Sequence, residues 1–228
     1  MRALVPMRLL ARLRRLPGDR RATVMIEMAA CIPFLALVGL GGLEMANLTL
    51  THTRISQIGL SAADNASRMA SGSSLSLLPV SEADIYDVFL GVEKQAAGLD
   101  FEQNGRIILS SLEQNEAGGQ WLHWQRCYGD LDVASSYGVQ GDGATGTDFP
   151  GMGEEGAEVT APAKSAVMFV EVVYTYQPLA FGGWLGPRTI RSKAAFNVRE
   201  TRDLRTVSAS ADVPDMTCPV PAEPEAVP

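Results

Sequence analysis

The chain has 228 residues and a formal net charge of −7, but the charge is divided: residues 1–22 hold seven Arg against one Asp, leaving 12 basic and 25 acidic side chains beyond. An acidic body offers no phosphate-neutralising face, which excludes nucleic acid as a partner and argues equally against adhesion to a membrane by surface charge. Once a leader, an anchor and a tail are set aside, the length suits one folded domain. Residues 1–22 intersperse Arg with Leu and Met in the manner of a mitochondrial presequence, but the apolar run that follows makes them a basic cytoplasmic leader.

That run is Met28–Leu43, sixteen residues without a charge, bounded by Glu27 and Glu44. With Thr23–Ile26 and Met45–Leu50 it makes a membrane-spanning helix over 23–50. Its two carboxylates lie ~26 Å apart, near the two edges of ~30 Å of hydrocarbon. By the positive-inside rule the N-terminus stays cytoplasmic and the acidic remainder is exported. A rival reading is a secretory signal cut near Gly39-Leu40-Gly41, releasing a secreted enzyme; Glu27 interrupts its apolar run and the helical pattern continues past the cut. Pro33 lies deep enough to bend the helix, and Gly39, Gly41 and Gly42 smooth one face.

The string Arg20-Arg21-Ala22-Thr23-Val24-Met25-Ile26-Glu27-Met28 resembles the processing site of type IV pilin-like proteins. More narrowly, it resembles the TadE/TadG-like family of tight-adherence (Flp) pilus assembly, with Ala22 standing where glycine is usual and Met28 where an aromatic is common. The resemblance extends through Thr53-Arg54-Ile55-Ser56-Gln57 and Ala62-Ala63-Asp64-Asn65-Ala66, and so covers residues 20–70. It implies a minor pseudopilin in the bacterial inner membrane, single-pass, with a periplasmic C-terminal domain. It implies cleavage by a prepilin peptidase between Ala22 and Thr23. It also implies that Glu27 pairs with the new N-terminal amine of a neighbouring subunit, and that the partners are other pseudopilins and inner-membrane assembly components. An uncleaved, membrane-anchored scaffold or envelope-binding domain is the alternative for the same anchor.

Residues 51–70 continue the helix as an amphipathic half. Leu48, Ile55, Ala62 and Met69 recur every seventh residue, with Thr51, Ile58 and Ala66 beside them, which gives one narrow apolar stripe; the resemblance to pilin helices implies that this stripe packs on a sheet. His52 and Arg54 read as solvated or head-group contacts. Ser71-Gly72-Ser73-Ser74 breaks the helix and Pro79 closes the linker, opening a domain over 71–218. Ser81-Glu82-Ala83-Asp84 is a capping-box start to a second helix whose buried face is Ile85, Val88, Phe89, Val92 and Ala96 and which ends at Gly98.

Beyond Gly98 the period falls to two. Asn104-Gly105 reads as a hairpin turn between strands Leu99–Gln103 and Arg106–Leu112, and Gln120–Cys127 as a strand with Trp121 and Trp124 on opposite sides. Residues 128–164, rich in glycine and acids, read as a solvated loop whose spacing does not fit a calcium loop. Ser165–Tyr176 and Arg188–Arg199 form a long hairpin around the turn 181–187, the pattern fades after Glu200, and 219–228 is a Pro-rich disordered tail. The fold class is therefore α+β, with a long N-terminal helix before a short helix and an antiparallel sheet.

Of three cysteines, Cys31 lies in the anchor, and Cys127 and Cys218 are the one available disulfide pair. They carry no clustered His or CxxC, so no metal or other cofactor is expected. His52 and His123 accompany no nucleophile motif, and the chain is expected not to be an enzyme.

Overall fold

The computed structural model describes residues 21–69, 79–180, 186–199 and 203–219. The leader before Arg21, the Ser71–Ser74 break, most of the turn at 181–187 and the tail beyond Pro219 lie outside the described residues. The elements, in order, are helix α1 (Arg21–Ser67), strand β1 (Pro79–Ser81), helix α2 (Glu82–Gln95), a single helical turn α3 (Phe101–Asn104), and strands β2 (Gly105–Gln114), β3 (Gln120–Tyr128), β4 (Val167–Tyr176), β5 (Arg188–Asn197) and β6 (Asp203–Ser208). The architecture is α+β. Four strands form an antiparallel sheet in the order β3-β2-β4-β5, and β1 pairs with β6 in parallel. The chain divides into two compact units, Met1–Asn47 and Leu48–Pro228.

In the second unit, one sheet face is covered by helices. Ile55, Ile58, Ala62, Ala63 and Ala66 of α1 are buried with Ile85, Val88, Phe89 and Val92 of α2 against Ile107 and Leu109 of β2 and Met168, Val170, Val172 and Tyr174 of β4. The seven-residue spacing put Ile55, Ile58, Ala62 and Ala66 on one stripe, which the sheet covers together with Ala63. Gly59 lets the helix come close: a Cβ there would sit 3.2 Å from Val172 Cγ2. The α2 start is the expected capping box, with Asp84 N–H donating to Ser81 Oγ and Ser81 N–H donating to Asp84 Oδ2 at 2.9 Å. At its other end Arg54 donates to the carbonyls of Gln95 and Ala97 at 2.8–3.0 Å. Arg54 is therefore a C-terminal cap for α2, not the solvated or head-group contact its sequence position indicated.

Three further expectations are corrected. No hairpin forms at Asn104-Gly105: Phe101–Asn104 is a helical turn, and β2 starts at Gly105 with extended backbone. Burial decides this, because Phe101 is 3 % exposed and stacks on Tyr174 at 6.2 Å, and a Cβ on Gly105 would lie 2.6 Å from the Phe101 ring. The hairpin partner of β2 is β3, through a loop in which Asn115 Oδ1 accepts from Ala117 and Gly119. Second, Trp121 and Trp124 share a face. A bulge at His123 pairs Ser111 with Trp124 but Leu112 with Leu122, shifting the alternation by one residue. Third, order continues past Glu200: β6 pairs with β1, and Met216 is buried.

Residues 129–165 depart most from the solvated loop expected of them. Tyr137, Phe149, Met152, Val159 and Ala161 pack on Leu112, Leu122, Val167 and Phe169 and close the second face of the sheet. All eight glycines from 129 to 156 have positive φ, so the composition reflects backbone shape more than solvation. Gly129 (φ 102°) is the clearest, since a Cβ would meet Gly105 O at 2.3 Å. Three of the segment's seven acids are bonded locally or to the sheet: Asp142 accepts from Val139 N–H, Glu158 from Gly156 N–H, and Glu154 from Tyr137 Oη and from Lys193 of β5.

Cys127 and Cys218 are disulfide-bonded, with Cα atoms 4.9 Å apart and a separation of 91 residues. A Cys127→Ser/Cys218→Ser double substitution is expected to lower unfolding stability by ~4 kcal/mol on loop-closure entropy. Denaturant titration followed by tryptophan fluorescence measures it. A loss below ~1 kcal/mol would show that the β1–β6 pairing and Met216 hold the C-terminal segment without the bond.

Candidate functional site

The site begins with a conflict between composition and solvent. Every large apolar side chain from Val24 to Met45 in α1 is exposed, at 45 to 76 %. Burying one such side chain is worth ~1.5–3 kcal/mol, so leaving the set in water would cost on the order of 20–40 kcal/mol. This half of α1 is long and apolar enough to cross a membrane; from Thr23 to Leu43 it spans ~31 Å. The helix is unbroken through Pro33 and through Gly39, Gly41 and Gly42, up to and including the stripe buried in the domain core.

Within it, the Ala22–Thr23 bond lies in the first described turn of α1, and Thr23 is exposed. Glu27, four residues beyond Thr23, is exposed among apolar neighbours. Glu44 differs: it is 3 % exposed and is engaged by a partner. The helix separates the two carboxylates by ~26 Å, too far for them to act as a pair. Cys31 is an exposed free thiol on the same segment. Cys127 and Cys218 are brought together as the sequence indicated.

Across the domain the polar clusters hold structure together. Arg126 makes a bidentate contact with Glu82, with Nη2 2.5 Å from Oε1 and Nε 3.0 Å from Oε2, tying the first turn of α2 to β3. His123 Nδ1 lies 3.1 Å from Glu113 Oε1, which also accepts from Ser111 Oγ at 2.8 Å, and the imidazole stacks on Trp121 at 4.0 Å. In this trio the carboxylate sits between hydroxyl and imidazole, so the histidine is not placed to take the serine proton. Periodicity could not reveal the cluster, because it depends on the bulge. A groove of about 470 Å³ beside the C-terminus of α2 is lined by Glu93, Lys94, Asp100, Phe101 and Glu102. Near it burial, reinforced by the charges of Glu102 and Glu93, pushes the Tyr128 phenol up to about 12. Among the described residues no three His, Cys, Asp or Glu side chains gather as a metal-ligand set.

No family model, curated protein or solved structure matches the chain. The functional reading therefore rests on the chain's own residues and on the N-terminal resemblance.

A smaller cleft on the loop-covered face holds Glu171, Tyr137, Glu154, Arg191 and Lys193. Glu171 is buried, accepting from Ser135 Oγ and from Ser136 N–H at 2.9 Å. Burial raises its carboxyl above the ordinary range, and the hydrogen bonds from Ser135 and Ser136 with the charges of Arg191 and Lys193 offset only part of this. A carboxyl raised on folding binds more protons in the native state, so stability falls as pH climbs from its unfolded value through its folded one. Glu171→Gln is expected to flatten that decline just above the ordinary carboxylate range. Urea titrations of both proteins at several pH values measure it, and parallel slopes would show that the ionised form is fully compensated.

Proposed function

We propose that this chain is a TadE/TadG-like minor pseudopilin: a single-pass protein of the bacterial inner membrane, with a cytoplasmic N-terminus and a periplasmic domain, that takes part in assembling or anchoring tight-adherence pili. The observation that carries the reading is the apolar, outward-facing half of α1, continuous with a helix half buried in the core of an α+β domain. Glu27 is exposed on it at the fifth position counted from Thr23. The Cys127–Cys218 bond supports an oxidising compartment for the domain.

The mechanism is recognition within the bilayer. An ionised carboxylate on a lipid-facing helix is costly unless it is paired. Cleavage by a prepilin peptidase between Ala22 and Thr23 creates an amine at the helix start, which is available to Glu27 of a neighbouring subunit. The pair forms only when subunits stack, so the cost of an unpaired Glu27 favours assembly and selects its register. Glu44, ~26 Å along the helix, lies near the opposite membrane interface. Lipid, prepilin peptidase, other pseudopilins and inner-membrane assembly components are the partners.

The test is the N-terminal residue of the protein recovered from native-host membranes, read by intact mass with terminal peptide mapping, together with pilus counts for Glu27→Gln. A start at Thr23 and at least a tenfold loss of pili in the variant, with the protein still in the membrane, are expected. An intact N-terminus with normal pili would make the chain an uncleaved scaffold. A start near Gly42 would remove the anchor and favour a secreted product.

A further inference from the structure

The two edges of the main sheet are treated differently. On β3, Leu122 N–H donates to Asp142 O, Gly141 N–H donates to Leu122 O, and Cys127 N–H donates to Met216 O, all at 2.8–2.9 Å. That edge is closed. On β5, Val198 N–H donates to Ala166 O in register with the β4–β5 ladder. The alternation of an antiparallel pair then turns the backbone groups of residues 190, 192, 194 and 196 toward β4. Those of Thr189, Arg191, Lys193, Ala195 and Asn197 face away from it. The next such donor, Arg199 N–H, reaches Ser67 O at 3.4 Å. From Thr189 to Asn197, among the described residues, no outward backbone group has a hydrogen-bond partner, and all of these residues except the half-buried Ala195 are exposed.

We propose that this edge of β5 is a docking site for an extended, acidic segment of another protein, added to the sheet as a fifth antiparallel strand. The open stretch of nine residues, ~30 Å long, presents five N–H and five C=O groups. Charge selects the occupant. β5 carries Arg188, Arg191 and Lys193 and no acid, in an otherwise acidic chain. Lys193 is already paired with Glu154, and Arg191 donates to Ser136 Oγ at 3.3 Å beside Glu171, but neither Arg188 nor Arg191 lies within salt-bridge distance of a described carboxylate. A carboxylate opposite Arg191 on the incoming strand would supply that partner. A second copy is disfavoured: the one twofold register that uses the whole stretch sets Lys193 opposite itself, and like charges directly opposite are destabilising. The basic edge thus resists self-pairing while it admits an acidic strand. This goes beyond the pseudopilin reading and does not depend on it, since every residue involved belongs to the domain.

The test uses the full chain in detergent micelles and three capped, fluorescent nine-residue peptides. One alternates Val and Thr with two Glu, the second has Lys in place of Glu, and the third is the acidic peptide with alternate backbone amides N-methylated. Fluorescence anisotropy is expected to show the acidic peptide binding at least tenfold more tightly than the Lys peptide, with N-methylation abolishing binding. Ala195→Pro, which removes one outward donor and no β4 bond, is expected to weaken binding at least tenfold, and Arg191→Glu to reverse the charge preference. No binding of the acidic peptide at millimolar concentration overturns the proposal, as does binding indifferent to N-methylation. Self-association of the chain that Ala195→Pro abolishes would make a second copy the occupant and overturn the assignment to an acidic partner. Should Ala195→Pro fail to fold by circular dichroism, the N-methylated peptide on the unaltered protein decides.

Discussion

The domain depends on a sheet whose two inner strands, β2 and β4, are buried along nearly their whole length on both faces. Such strands need two covers, and a chain of this size supplies only one from helices. The second half of α1, with α2 and α3, takes the face of Ile107, Leu109, Val170 and Val172. The other face is closed by a segment with almost no regular structure. Irregular backbone over a core leaves polar groups that must be satisfied locally. This explains the buried polar side chains on that face: Gln120 both donates to and accepts from Ala161, Gln125 reaches Gly138 O, and Arg106 reaches Gly129 O and Leu131 O.

α1 carries two kinds of surface on one backbone. Its later part carries apolar residues on a stripe and is held by the sheet; its earlier part carries them all round and leaves every large one exposed. A helix satisfies its own backbone hydrogen bonds whatever surrounds it, so one element can carry both kinds of surface. What distinguishes the halves is the arrangement of side chains, and the polar exceptions within the apolar half, Glu27 and Glu44, are the positions where the medium or a partner must intervene.

The same economy shapes the sheet edges. The C-terminal segment, tied by Cys127–Cys218, and the turn around Asp142 supply backbone partners to β3, while the outer backbone groups of β5 find none among the described residues. An open edge is an aggregation hazard unless something limits what can pair with it. Here the limitation is the charge of Arg188, Arg191 and Lys193.

By themselves, the residues determined whatever local pattern carries. The apolar run and its two glutamates specified the helix. The seven-residue stripe specified which face of α1 is buried, the capping box specified the start of α2, and alternation specified β4 and β5, because these depend on neighbours within a few positions. The cysteine pair was legible by elimination. Tertiary structure alone decided the rest. Asn104-Gly105 lost its hairpin to the burial of Phe101. Trp121 and Trp124 were turned to one face by a bulge that only strand pairing creates. Arg54 acquired its role from the carbonyls of Gln95 and Ala97, some forty residues away, and the glycine-rich segment became a cover because a second sheet face needed one. Periodicity records what each residue faces when its neighbours follow a regular element. It carries no record of which distant surface is left exposed and must be closed.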